Sequence, residues 1–135
     1  MFECGCLYLF AARYKSGKTL LLNDLMDSVS SGQPVLGRPT KSSRILWMQL
    51  EDPAKTIARR WLRRHPSGTM PTNISVDRCP WRLTVENLDT TIQALVDSQT
   101  NLLVVDPLIL AQTPHRTFDP TESRDALALH ACTMR

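Results

Sequence analysis

Lys15-Ser16-Gly17-Lys18-Thr19 combines a cation, a hydroxyl and a flexible glycine within five residues. Those three groups suit phosphate. The run follows the apolar stretch Leu7-Tyr8-Leu9-Phe10-Ala11 and precedes Leu20-Leu21-Leu22-Asn23-Asp24-Leu25-Met26, which reads as the start of a helix. A strand, a turn and a helix start in that order aim backbone N–H groups at one place, where the helix dipole also favours negative charge. There Lys18 reaches the β- and γ-phosphates of a bound triphosphate, and the Thr19 hydroxyl ligates Mg²⁺. The cradle predicted on this basis consists of Ala12, Arg13, Tyr14, Lys15, Ser16, Gly17, Lys18, Thr19 and Leu20.

The pattern for such a loop is G-x-x-x-x-G-K-[ST]. Here its first position is Ala12. Alanine carries a Cβ and resists positive φ, so the loop is strained if that position turns left-handed and is unstrained if it needs only a small residue.

Two carboxylates complete the chemistry. Leu102-Leu103-Val104-Val105-Asp106 is an apolar run ending in Asp, the form of a Walker B strand. Asp106 is expected to hold Mg²⁺ through water, since Mg²⁺ dehydrates reluctantly; the alternative is an Asp that caps the turn at Pro107. Glu51 follows the run Arg44-Ile45-Leu46-Trp47-Met48-Gln49-Leu50 and is the candidate to deprotonate an attacking water. Its rival Asp52 has a structural task as N-cap of the next helix, with Pro53 at the first helical position.

The elements that must position these residues alternate. A buried strand is expected over Leu7–Ala11, a helix from Lys18 to about Val29, and a second strand over Arg44–Leu50. A helix then runs to about His65, with Ala54, Ile57, Ala58, Trp61 and Leu62 on its apolar side. A short strand is read over Asn73–Val76, and a helix over Thr84 to about Asp97 with Leu88, Ile92, Leu95 and Val96 inward. Asn101–Val105 reads as a buried parallel strand, and Thr121 to about Ala131 as a last helix. Alternating strands and helices imply an α/β fold, a mostly parallel sheet flanked by helices, whose ligands sit beyond the carboxyl ends of the strands. The phosphate loop, Glu51 and Asp106 all fall at such ends.

The arginines Arg59, Arg60, Arg63 and Arg64 stand four apart in pairs on one helix. They form either a solvated face or a contact for nucleic-acid phosphates or a neighbouring subunit's nucleotide. Trp47 and Trp61 are expected in the core rather than as stacking platforms. His115 and Arg116 lie in the loop after Asp106, and nothing in the sequence gives them a role.

The chain has 135 residues, the size of one domain, with 42% hydrophobic and 21% charged residues, so a packed globular fold is expected. A net charge of +3 is too small to argue for nucleic acid by itself. No apolar run reaches the length of a membrane span, and no basic segment precedes the first apolar run, so neither a membrane segment nor a signal peptide is expected. Cys4, Cys6, Cys79 and Cys132 fit no zinc spacing and no disulfide framework, and His130 with Cys132 lacks further ligands; reduced thiols and a cytoplasmic location follow.

Taken together, the residues resemble RecA-like P-loop ATPases of the AAA family, in particular the branch of RepA-type hexameric replicative helicases. Leu50-Glu51-Asp52-Pro53 is similar to the Leu-Glu-Asp-Pro after the second core strand of that branch, and Val104-Val105-Asp106-Pro107-Leu108 resembles its Walker B segment. Ala11-Ala12-Arg13 before Gly17-Lys18-Thr19 is similar to the phosphate loop of DnaB-type helicases, and Asp119 and Glu122 resemble, loosely, an acidic patch downstream of Walker B. The resemblance spans roughly residues 5 to 125. It implies a single RecA-like domain over residues 1–135, ATP and Mg²⁺ as ligands, and hydrolysis driving movement on DNA. It also implies a homo-oligomeric ring with an arginine finger supplied in trans. A RecA-like core further carries, between the phosphate-loop strand and the Walker B strand, a strand with a polar sensor residue. No segment after Asp106 reads as that strand, so the core is expected to be incomplete at its C-terminal side, with apolar surface and unfilled backbone groups beside it.

Three readings follow: an ATPase of the helicase class, a nucleotide-binding module without turnover, and a P-loop small-molecule kinase whose lid would be the arginine cluster.

Overall fold

The computed structural model describes residues 5–13, 15–68, 70–78, 84 and 87–111. In chain order these form α1 (Lys18–Ser31), β1 (Ile45–Gln49), α2 (Ala54–Arg64), β2 (Ile74–Asp77), α3 (Leu88–Asp97), β3 (Leu102–Asp106) and a closing 3₁₀ turn over Leu108–Ala111. The strands make one parallel sheet in the order β2-β1-β3. Ile45 of β1 pairs with Ile74 and Leu102, and Gln49 with Asp106. The fold is α/β, with a P-loop-NTPase-like arrangement of sheet and helices.

Strand alternation decides the core. Ile45 and Trp47 of β1, Ile74 and Val76 of β2, and Leu102 and Val104 of β3 share one face by register. Against that face pack Leu22, Leu25, Met26 and Val29 of α1 and Ile57 and Trp61 of α2. Trp47 at the centre is fully buried, and its truncation to alanine is expected to cost about 3–5 kcal/mol. Both tryptophans are therefore core residues, as their sequence context suggests.

Helix α1 starts at one edge of the sheet and stops at the other. Its stop is local: Gly32 is left-handed at φ 73, and the Gln33 N–H donates to the Ser28 carbonyl while Gly32 N–H donates to Val29, a Schellman arrangement. The Ser30 carbonyl accepts from Ser42 Oγ and Asn73 Nδ2, and Val29 accepts from Ser43 N–H. Residues that lead into β1 and β2 thus satisfy the end of α1, which places its start at the carboxyl edge.

Several expected elements change. Residues 6–13 carry no strand, and Leu7, Tyr8, Leu9 and Phe10 are exposed, Leu9 by 60%. A strand is defined by a neighbour, and among the described residues β3 has a strand on one side only, toward β1. The apolar run has no ladder to join. Asp52 is not a helix cap: Pro53 occupies the N-cap position without a side-chain hydrogen bond, and the Asp52 carboxylate is taken up by Gln49 and Arg60. Helix α3 begins at Leu88 rather than Thr84; ahead of it Asn87 N–H donates to Thr84 Oγ1 and Thr84 N–H to Asn87 Oδ1. Among the described side chains of α3 Thr91 is buried, Ile92 and Leu95 are half-buried and Val96 is exposed. On α2, Ala54, Ala58 and Leu62 are exposed, leaving Ile57 and Trp61 as the buried pair. Strand β3, read from sequence as a buried parallel strand, is parallel, buries Val104 and Asp106 and leaves Leu102, Leu103 and Val105 half-buried. The expected helix over Thr121–Ala131, together with Cys4, Tyr14, Cys79, His115, Arg116, Asp119, Glu122, His130 and Cys132, lies outside the described residues. Among the described residues no helix is long and apolar enough to cross a membrane.

Candidate functional site

The carboxyl edge of the sheet gathers the polar residues. Parity along β3 puts Asp106 on the face of Val104 and Leu102, the face that α1 covers. The start of α1 therefore meets the tip of β3. Lys18 Nζ lies 2.5 Å from Asp106 Oδ1, and Thr19 Oγ1 donates to Asp106 Oδ2 at 2.9 Å. Asp106 is 1% exposed. A carboxylate at that depth requires a counter-charge and hydrogen bonds, and these two residues, 87 and 88 positions away in sequence, provide both.

The loop before α1 is bent by two left-handed residues, Lys15 at φ 61 and Gly17 at φ 90. Ala12 is not among the positive-φ residues, so the missing first glycine of the pattern imposes no strain. Gly17 needs glycine for its backbone rather than for space, since a Cβ there would meet nothing within 4 Å. Ser16 N–H donates to the Arg13 carbonyl, closing the turn. The first intrahelical bond of α1 runs from Leu21 N–H to the Gly17 carbonyl at 3.0 Å. The N–H groups of Gly17, Lys18, Thr19 and Leu20 consequently have no partner within the helix and form its positive end.

Glu51 stands at the tip of the adjacent strand. Because Gln49 pairs with Asp106 in register and Leu50 N–H donates to the Asp106 carbonyl at 3.0 Å, Glu51 lies at the same edge as Asp106. It is exposed. No ion pair joins it to Lys18, whose partner is Asp106.

Beneath Glu51 sits a residue that sequence reading passed over. Gln49 is 2% exposed, and its Oε1 accepts from Glu51 N–H at 2.8 Å and Asp52 N–H at 2.7 Å. Its Nε2 donates to Asp52 Oδ2 at 3.1 Å. The available signal was a polar residue in an otherwise apolar strand, at the core-facing parity, directly before Leu-Glu-Asp-Pro.

The arginine cluster divides. Arg60 pairs with Asp52, and Arg64 with Asp24 and Asp27 of α1. Arg59 and Arg63 are exposed. Among the described residues no group of three or more His, Cys, Asp or Glu side chains could hold a metal, and Cys6 is a free, exposed thiol.

A parallel α/β sheet with a glycine-turned loop, a lysine and a threonine at a helix start, and an aspartate at a strand tip defines a nucleotide-binding domain of the P-loop kind. The chain belongs to the AAA domain family: the family model matches residues 1–128. It is accordingly a nucleotide-binding, ATPase-like domain. No curated protein and no solved structure matches the chain.

Proposed function

We propose that this chain binds ATP with Mg²⁺ at the carboxyl edge of its sheet and hydrolyses it, as the motor domain of a RepA-type replicative helicase would. The observation that carries this is the meeting of Lys18 and Thr19 with Asp106. Lys18 exchanges its contact with Asp106 for the β- and γ-phosphates, and the N–H groups of Gly17, Lys18, Thr19 and Leu20 bind phosphate oxygens. Ala12, Arg13, Tyr14, Lys15 and Ser16 complete the loop.

The donors fit Mg²⁺. Thr19 and Asp106 offer oxygen only, and one carboxylate with one hydroxyl is the sparse protein contribution typical of Mg²⁺ shared with substrate phosphates. The ion supplies charge neutralisation on the transferring phosphoryl group. Glu51 takes a proton from the attacking water. Movement on DNA and assembly into a ring, with an arginine from a neighbouring copy, follow from the helicase resemblance.

ATP-binding titrations with and without Mg²⁺, followed by phosphate-release measurements on wild type and Lys18→Ala, test the reading. Mg²⁺-dependent binding and turnover that Lys18→Ala abolishes is the expected result. A folded wild-type protein that binds ATP without releasing phosphate would reject hydrolysis.

That outcome is the second reading, a nucleotide-binding module without turnover. It is favoured by the exposed apolar segment Leu7–Phe10, which leads into the loop without a strand to anchor it. The kinase reading is weakened, since Arg60 and Arg64 are engaged by acids of this same chain and only Arg59 and Arg63 of the cluster are exposed without such a pair among the described residues.

A further inference from the structure

We infer that Gln49 is a positioning residue for Glu51: its buried amide fixes the turn that carries the proposed base, an inference resting on the hydrolysis reading above. Gln49 is the last residue of β1 and among the largest fully buried side chains of the protein. It shares the core-facing side of β1 with Ile45 and Trp47. Its amide oxygen, accepting twice, and one of its two N–H donors are turned toward residues 51 and 52.

The chemistry of the amide is specific. One oxygen accepts two successive N–H groups, from Glu51 at 2.8 Å and Asp52 at 2.7 Å, while the nitrogen donates to the Asp52 carboxylate at 3.1 Å. Glutamate would accept the same two N–H groups but would set a second carboxylate against Asp52, one strand from Asp106. Leucine would fill the space and leave the Glu51 and Asp52 N–H groups without this acceptor. Asparagine lacks the reach by one methylene. Only an amide of this length both accepts and donates here.

The turn is held from two further directions. Leu50 N–H is tied to the Asp106 carbonyl, and Arg60 of α2 pairs with the same Asp52 oxygen that Gln49 contacts. Glu51 thus has an exposed side chain on a backbone fixed by β3, by Gln49 and, through Asp52, by α2. An exposed carboxylate has no packing of its own to orient it, so its aim depends on the turn. A shift of about 1 Å in a reacting group can cost 10²-fold in rate.

The test uses the full chain. Single-turnover ATP hydrolysis and affinity for ADP are measured for wild type, Gln49→Leu, Glu51→Gln, the double variant and Arg60→Met. The expected result is a fall in turnover of about 10²-fold in Gln49→Leu with ADP affinity unchanged. In the Glu51→Gln background Gln49→Leu should cause no further loss, because its effect passes through Glu51. Arg60→Met, which loosens the same turn from the surface, should lower turnover by a smaller factor. Unchanged turnover in Gln49→Leu overturns the inference, and so does a loss that adds to that of Glu51→Gln. If Gln49→Leu does not fold, unchanged turnover in Arg60→Met overturns it instead. Absence of turnover in the wild type overturns the hydrolysis reading itself, a result distinct from all of these.

Discussion

Asp106 and Glu51 stand at the tips of neighbouring strands, and they are held in opposite ways. Asp106 is 1% exposed and fixed through its side chain, by Lys18 and Thr19. Glu51 is exposed and held through the backbone, its own N–H by Gln49 and the N–H of the preceding Leu50 by the Asp106 carbonyl. On the proposed function the first arrangement rearranges when a triphosphate and Mg²⁺ bind, because the lysine cannot neutralise both. The second need not change at all. One tip is built to exchange partners, the other to keep its aim.

Lys18→Ala attacks the first tip and has the largest expected effect. Hydrolysis should fall below detection, and ATP affinity should drop by about 10–100-fold, the worth of one hydrogen bond to a charged group. Calorimetric titration and phosphate release check both. Glu51→Gln attacks the second tip alone. Turnover should fall by about 10²–10⁴-fold, the range for loss of a general base, with affinity retained. A drop in affinity equal to that of Lys18→Ala would break the distinction between the two tips. Asp106→Asn sharpens it: the metal affinity of the nucleotide complex should weaken by about 10–100-fold, as for loss of an outer-sphere partner, so ATP binding should become nearly insensitive to Mg²⁺. Mg²⁺ titration at fixed ATP reads this directly.

The smallest effect is expected far from both tips. Leu9→Lys should change stability by less than about 0.5 kcal/mol in chemical denaturation, since Leu9 is 60% exposed. A cost of several kcal/mol would show that the segment before the loop is packed as a buried strand.

That segment shows where local pattern stops being informative. Leu7-Tyr8-Leu9-Phe10-Ala11 has the same apolar character as Leu102-Leu103-Val104-Val105, yet only the second is a strand. A strand needs a hydrogen-bonded neighbour, and nothing within five residues reports whether one exists. Helices were easier to read because their hydrogen bonds are internal. The Schellman stop at Gly32 and the Ile57–Trp61 spacing of α2 each carry a local signal, and both helices fall close to their expected bounds. Asp52 shows the opposite case: a good cap residue in the right place, diverted by two partners that no local rule supplies.

By itself, the sequence determined the order of strands and helices from α1 to β3 and the residue types at the strand tips, because periodicity, glycine and proline act over a few positions. It also carried the match to the AAA domain family over residues 1–128. The tertiary structure alone decided that Asp106 is held by Lys18 and Thr19, that Gln49 turns inward to hold the Glu51 turn, and that Leu7–Phe10 stays outside the sheet. Each of those depends on which groups meet across tens of residues, where burial makes a partner compulsory and the chain's local preferences say nothing about which partner it will be.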